Sequence, residues 1–147
     1  MTTFFLDRFK ALLGYYPQSH AGTTAVTSAA IDRLGFRSAI VIVNYAATTS
    51  DPSAATLTFS AVDGADTSPA TAVTFNATPA VINAKTTAGV YAYQIDLSGF
   101  NRYFKISMTP AFTGGTDPSI VAGMTVILCD AAVDPASGTA VTPLRKA

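Results

Sequence analysis

The chain has no tryptophan, one cysteine and one histidine, and its acidic residues are all aspartate, with no glutamate. Each shortage removes a class of explanation. A lone Cys129 makes no intramolecular disulfide, and one Cys with one His does not furnish a zinc site. Within MTVILCDA, Cys129 reads as a small buried hydrophobe. Charged residues make up 12% of the chain, about half the usual share. Nine basic side chains balance nine acidic ones, which leaves no basic face for a phosphate backbone, so no nucleic-acid partner is expected. No segment approaches the roughly 20 apolar residues needed to span a bilayer, so no membrane partner is expected. The opening MTTFFLDRFKALLGYY is broken by Asp7, Arg8 and Lys10 and does not read as a signal peptide.

What is present is Ala, Thr, Ser, Val and Gly. Without Glu and with few Lys, exposed helices lack their usual residues. Thr, Val, Ile, Phe and Tyr favour strands. The first strong strand is RSAIVIVNY, residues 37–45, nearly continuous in apolar character as a strand covered on both faces would be. TLTFSAV, residues 56–62, alternates Leu57, Phe59 and Ala61 against Thr58, Ser60 and Val62, and Asp63-Gly64 turns after it. Short strands are expected at 23–28, 72–75 and 80–83.

The stretch GVYAYQIDLSGFNRYFKISMTPAF, residues 89–112, holds six aromatic residues. It divides into strands at 89–97 and 102–109, with Ser98-Gly99 turning between them and Pro110 ending the second or marking an edge. IVAGMTVILC, residues 120–129, is the last apolar strand. Short strands with a turn about every ten residues predict an all-β chain, a single antiparallel β-sandwich or jelly-roll-like domain. Its expected core is Ile40, Ile42, Leu57, Phe59, Phe104, Ile106, Val126 and Leu128.

The N-terminus reads differently. In FFLDRFKALL, residues 4–13, Phe5, Phe9, Leu12 and Leu13 fall at helical spacing, which predicts a short helix ended by Gly14 and Pro17. Such a helix is unstable alone in water, so its apolar face needs a surface. The expected organisation is an N-terminal arm or lead-in over 1–30, a sandwich over 31–130 and a tail over 131–147.

Candidate chemistry is sparse. His20, in QSHAG, reads as solvated, and no G-x-S-x-G nucleophile motif accompanies it. Asp63 and Asp66 are close enough to suggest calcium, but they lack the repeated oxygen ligands of a dedicated loop, and a hairpin turn explains Asp63 better. Asn76-Ala77-Thr78 matches a glycosylation acceptor by pattern alone. Gly114-Gly115 is an isolated pair, not a phosphate loop. No enzyme activity, cofactor or metal is expected. Tyr91, Tyr93 and Tyr103, read as an outward set, offer either a stacking platform for sugars or single-stranded nucleic acid, or a cross-strand cluster at a subunit interface. The interface reading is preferred, because only Arg102 and Lys105 bring charge nearby.

In order along the chain, GFRSAIVIVNY (35–45), TLTFSAVDGAD (56–66), LSGFNRYFKISMTPAFTGG (97–115) and IVAGMTVIL (120–128) form a pattern. It resembles the small β-rich head decoration, or capsid cement, proteins of tailed bacteriophages. The likeness covers about residues 31–130 and rests on the order of strand-and-turn words. The chain departs from the pattern at both ends, with FFLDRFKALLGYYPQ as a longer lead-in and CDAAVDPASG near its close. The resemblance implies a structural virion protein on the outer surface of the capsid, bound to the major capsid protein and self-associating, as a homotrimer. Capsid or subunit contacts are then expected from Phe5, Phe9, Leu12, Leu13, Tyr15, Tyr16, Tyr91, Tyr93 and Tyr103. Alternatives are a tail, collar or head-fibre component, and a carbohydrate-binding β-sandwich module.

Overall fold

The run IVAGMTVILC lies at the middle of a sheet because its inward residues are all apolar and its outward ones are small or apolar. It belongs to β10 (Ser119–Ala131), which pairs antiparallel with β1 (Lys10–Ala21) on one side and β4 (Phe36–Tyr45) on the other. β8 (Gly89–Asp96) pairs with β4 and completes the first sheet, in the order β1-β10-β4-β8. The second sheet is built on β5 (Ala54–Gly64) and β9 (Tyr103–Thr113), paired over their full length. The short strands β2 (Val26–Thr27) and β3 (Ile31–Asp32) flank β9, while β6 (Thr71–Ala72) and β7 (Ile82–Asn83) flank β5. The computed structural model describes residues 9–73, 82–83 and 87–131, and among these there is no helix.

Taking β2 with β3 as one position, and β6 with β7 as another, leaves eight positions. One sheet then reads first-eighth-third-sixth and the other second-seventh-fourth-fifth. This is the antiparallel jelly roll. Apart from the fourth and fifth positions, which neighbour each other in one sheet, successive positions alternate between the sheets, and the side chains facing inward on both sheets meet in one core.

Of the expected core residues, Leu57, Phe104, Ile106, Val126 and Leu128 have no exposed surface, and Phe59 is also buried. Ile40 and Ile42 are corrected. They lie half-buried on the outer side of β4, and Ala39, Val41 and Val43 point inward. A run apolar at every position carries no parity signal, so pairing with β10 and β8 decided which side faced the core.

The N-terminal helix is corrected as well. Lys10–Ala21, the second half of the expected arm, is an edge strand of the sandwich. Leu12 and Tyr15 pack towards the core, whereas Leu13 and Tyr16 stay exposed. The register with β10 slips between Leu13 and Tyr15 and again between Tyr15 and Gln18. Gly123 accommodates the irregularity, since a Cβ there would lie 2.8 Å from the Pro17 backbone nitrogen. Bulges and Pro17 also blunt this edge against pairing with another chain. Pro110 does not end β9. It sits past the last pair with β2, at Met108, where the outer margin of β9 is an edge that tolerates proline. Phe5 and residues 132–147 of the expected tail lie outside the described residues, as does Asn76.

Candidate functional site

Strand register places the side chains of the first sheet's outer face in rows. One row runs Ala11, Ile127, Ile40, Gln94; the next runs Leu13, Thr125, Ile42, Ala92. Beyond them lie Gly123, Asn44 and Val90, then Ser19 and Val121. None of these side chains is charged. Leu13 is 65% exposed, Val90 66% and Val121 44%. With Pro17 and Asn44, the two valines border an open groove of about 470 Å³. At the opposite end of the face, Phe9 is buried against Ile40, Ile127 and Cys129.

The second sheet's outer face has another chemistry. Thr58, Ser60, Ser107 and Thr109 line its centre, joined by Tyr103 and Lys105. Thr27 and Ser107 share a hydrogen bond of 2.8 Å across β2 and β9. Hydroxyls satisfied in this way suit a hydrated face, whereas isoleucine and valine on the first sheet suit a covered one.

The tyrosines do not form the expected outward platform. Tyr91 and Tyr93 point into the sandwich, their ring centroids 6.1 and 5.3 Å from Phe59 and 5.9 Å from each other. The Tyr93 hydroxyl is buried without a hydrogen-bond partner. Burial pushes that phenol well above the ordinary tyrosine range, with a smaller contribution from Tyr91. Tyr103 stands on the other sheet, under the Arg102 guanidinium at 5.0 Å. Tyr15 and Tyr16 stack on each other at 5.4 Å on β1.

His20 is buried rather than solvated, with Nε2 3.3 Å from the Ala122 carbonyl oxygen and its ring 5.3 Å from Tyr15. It braces β1 against β10. Cys129 is buried as expected, and desolvation pushes its thiol up to about 11, which keeps it protonated and inert at neutral pH.

Polar contacts concentrate at the two ends. At the end where β5 finishes, buried Asp63 accepts the Asn101 backbone N–H at 2.6 Å and its side-chain N–H at 3.1 Å, pinning the β8–β9 turn. Arg33 donates to the Asn101 carbonyl at 2.8 Å and also to that of Phe100. Arg102 forms an ion pair with Asp32 at 2.7 Å. Asp66 accepts the Ser68 backbone N–H at 2.8 Å, a local turn bond. The two carboxylates therefore serve separate turns, and no group of three metal-ligating side chains occurs among the described residues.

At the other end, Thr49 and Ser119 tie the loop after β4 to the start of β10, through Thr49 N–H to the Ser119 carbonyl at 2.9 Å and hydroxyl to hydroxyl at 2.9 Å. Ser50, Asp51 and Asp117 adopt left-handed backbone there, so these connections are shaped by specific turns.

No protein-family model matches the chain. No curated protein matches it in sequence. Solved structures do share the fold. A structure of infectious bursal disease virus, Gx strain, aligns over 90% of this chain and 38% of its own, with TM-score 0.54 and 13% identity. The VP2 subviral particle of infectious bursal disease virus aligns over 87% of this chain and 34% of its own, with TM-score 0.52 and 14% identity. T=1 particles derived from infectious bursal virus align over 90% of this chain and 34% of theirs, with TM-score 0.52 and 17% identity. The chain thus spans little more than a third of the chains it resembles, and at these identities the likeness is one of fold alone.

Proposed function

We propose that the protein is a structural component of a virus particle, a decoration protein that binds the outer surface of the capsid and stabilises the shell of major capsid protein. The observation that carries this reading is the jelly-roll fold, which aligns with the virus structures above over most of this chain. The phage-head pattern in the sequence supports it independently. The central rows of the first sheet's outer face carry no charge and supply a surface suited to contact, with Leu13, Tyr16, Val90 and Val121 exposed on that side or at its rim and Asp96 at its Cys129 end. A clamp of this kind needs rigidity and many modest contacts, and multivalent attachment adds them up without a reactive residue. Self-association as a trimer is part of the proposal, because a shell offers threefold positions that a trimer matches.

The carbohydrate-binding alternative leaned on three outward tyrosines, two of which are turned inward against Phe59. The test is co-sedimentation of the purified protein with expanded shells of its own particle's major capsid protein, with sedimentation velocity on the free protein. Saturable binding at a fixed ratio to capsid subunits is expected. Absence of shell binding together with specific retention on a glycan array would replace the decoration reading with the sugar-binding one.

A further inference from the structure

The charges of this chain are sorted along its strands. All five lysines and arginines among the described residues, Lys10, Arg33, Arg37, Arg102 and Lys105, lie towards one end of the sandwich, where β1, β4 and β9 begin and β5 and β10 finish. Asp32 holds Arg102 there, and backbone carbonyls hold Arg33. The opposite end carries no lysine or arginine among the described residues, only Asp51 and Asp117. At that end a pocket of about 300 Å³ lies between the finish of β1 and the finish of β9. Phe112, on the inward parity of β9, is half-buried against the core and lines it, with Gly22, Thr23, Gly114 and Asp117.

Asp117 differs from the other turn aspartates. Asp32, Asp66 and Asp96 each accept the backbone N–H two residues on, which is the usual use of an aspartate in a turn. The corresponding N–H after Asp117, that of Ser119, is taken by the Thr49 hydroxyl at 3.2 Å. The exposed Asp117 carboxylate makes no hydrogen bond or ion pair among the described residues. It is the one charged group of the pocket lining.

We infer that this pocket receives an arginine side chain of the major capsid protein. The partner's identity rests on the decoration reading. An uncompensated carboxylate at an end without lysine or arginine calls for a cation rather than a neutral ligand. A guanidinium presents two parallel N–H groups to a carboxylate and is weakly enough hydrated to lie against an apolar wall, so its methylene stem packs on Phe112 while its fork meets Asp117. The volume is at the lower end of the range for small-ligand pockets and suits one long side chain. A second copy fits less well. Its own cations stand at the far end of the sandwich, so it would dock head to tail, and such contacts run on into filaments unless the rotation closes.

The test uses the full chain in two arms. In the first, N-acetyl-arginine methylamide is titrated against the protein, with the uncharged citrulline analogue as reference, and the backbone amide signals of Gly22, Gly114 and Asp117 are followed by nuclear magnetic resonance. Saturable shifts are expected with the arginine probe and not with the citrulline one, and D117N should abolish them. Asp117 has a left-handed backbone, with φ 50°, which asparagine also tolerates, so D117N removes the charge and keeps the turn. In the second arm, parent and D117N are co-sedimented with shells of the major capsid protein. D117N is expected to bind at least about tenfold more weakly at low salt, and the gap should narrow as salt is raised. No response to the arginine probe, or an equal response to both probes, overturns the inference. If the parent binds shells and D117N binds them equally well, the inference falls and the decoration reading stands. If the parent binds no shells, the decoration reading falls and the capsid partner with it. Self-association that D117N abolishes also overturns the inference, assigning the pocket to a second copy.

Discussion

At the scale of single residues, burial and satisfaction decide what each side chain contributes. Phe104 has no exposed surface and meets Phe100 edge-on at 5.7 Å. Truncating it leaves a cavity between two sheets that cannot collapse independently, so F104A is expected to cost about 3–5 kcal/mol in urea unfolding. Tyr93 makes the opposite case. Its hydroxyl is buried without a partner, so removing that oxygen relieves a desolvation cost. Y93F should be neutral or more stable by up to about 1 kcal/mol in the same assay. A clear loss of stability would show that the hydroxyl has a partner.

Asp32 carries a pH prediction. The hydrogen bond from Arg102 holds its carboxyl below the ordinary value of 3.8. A depressed folded-state value means that the stabilisation is present above about pH 4 and is lost as pH falls through that lower value. Both partners are partly exposed, so solvent and salt keep the effect small. Thermal melts should show a shallower acid limb for D32N than for the parent, confined to the region below about pH 4. Parallel limbs would remove the ion pair from the acid response.

At the scale of elements, the lesson lies in β1 and β4. TLTFSAV was legible because strict alternation fixes both the strand and the side that faces inward, and Phe59 and Leu57 are where that pattern puts them. The same alternation in GVYAYQID separated Tyr91, Tyr93 and Ile95 from Val90, Ala92 and Gln94. It does not say which set faces the core, which is why an outward set of tyrosines is the expectation from sequence and an inward one the finding. In β4 even the alternation is missing, so nothing in the run itself places Ile40 and Ile42 on the outer side. The segment FFLDRFKALL carried helical spacing because Phe9, Leu12 and Leu13 serve different sides of an edge strand and its approach, a pattern local propensity cannot resolve. Tertiary pairing with β10 overrode it.

The irregular pairing of β1 gives a direct check. A Cβ on Gly123 would meet the Pro17 backbone nitrogen at 2.8 Å and its Cα at 3.0 Å, so G123A must push β1 from β10. It is expected to destabilise by about 1–3 kcal/mol, with the lowest hydrogen-exchange protection along Leu12–Ala21. Deleting residues 2–17 removes much of that strand and bares the edge of β10. That truncated chain should aggregate or unfold, whereas one lacking only residues 2–8 should keep its sandwich. If the longer deletion stays folded and monomeric, β1 is dispensable and the sandwich is smaller than its strand order implies.

At the scale of the whole molecule, two properties belong together: a jelly roll whose strands come from distant parts of the chain, and a polarity difference between its two outer faces. The sandwich was legible from strands and turns. The contrast between faces was not, because it needs the register that brings Ile40, Ile127 and Leu13 onto one side and Thr58, Ser60 and Ser107 onto the other. The expected contact residues therefore combine inward rings, Tyr91 and Tyr93, with outer residues such as Leu13 and Tyr16.

The central claim is that this jelly roll decorates the outside of a capsid, and a cryo-electron microscopy map of the particle carrying the chain tests it most directly. The account predicts jelly-roll density on the outer surface of the shell, grouped in threes, with the first sheet's outer side turned towards a neighbouring subunit. Density confined to the tail, the collar or the shell interior would contradict it.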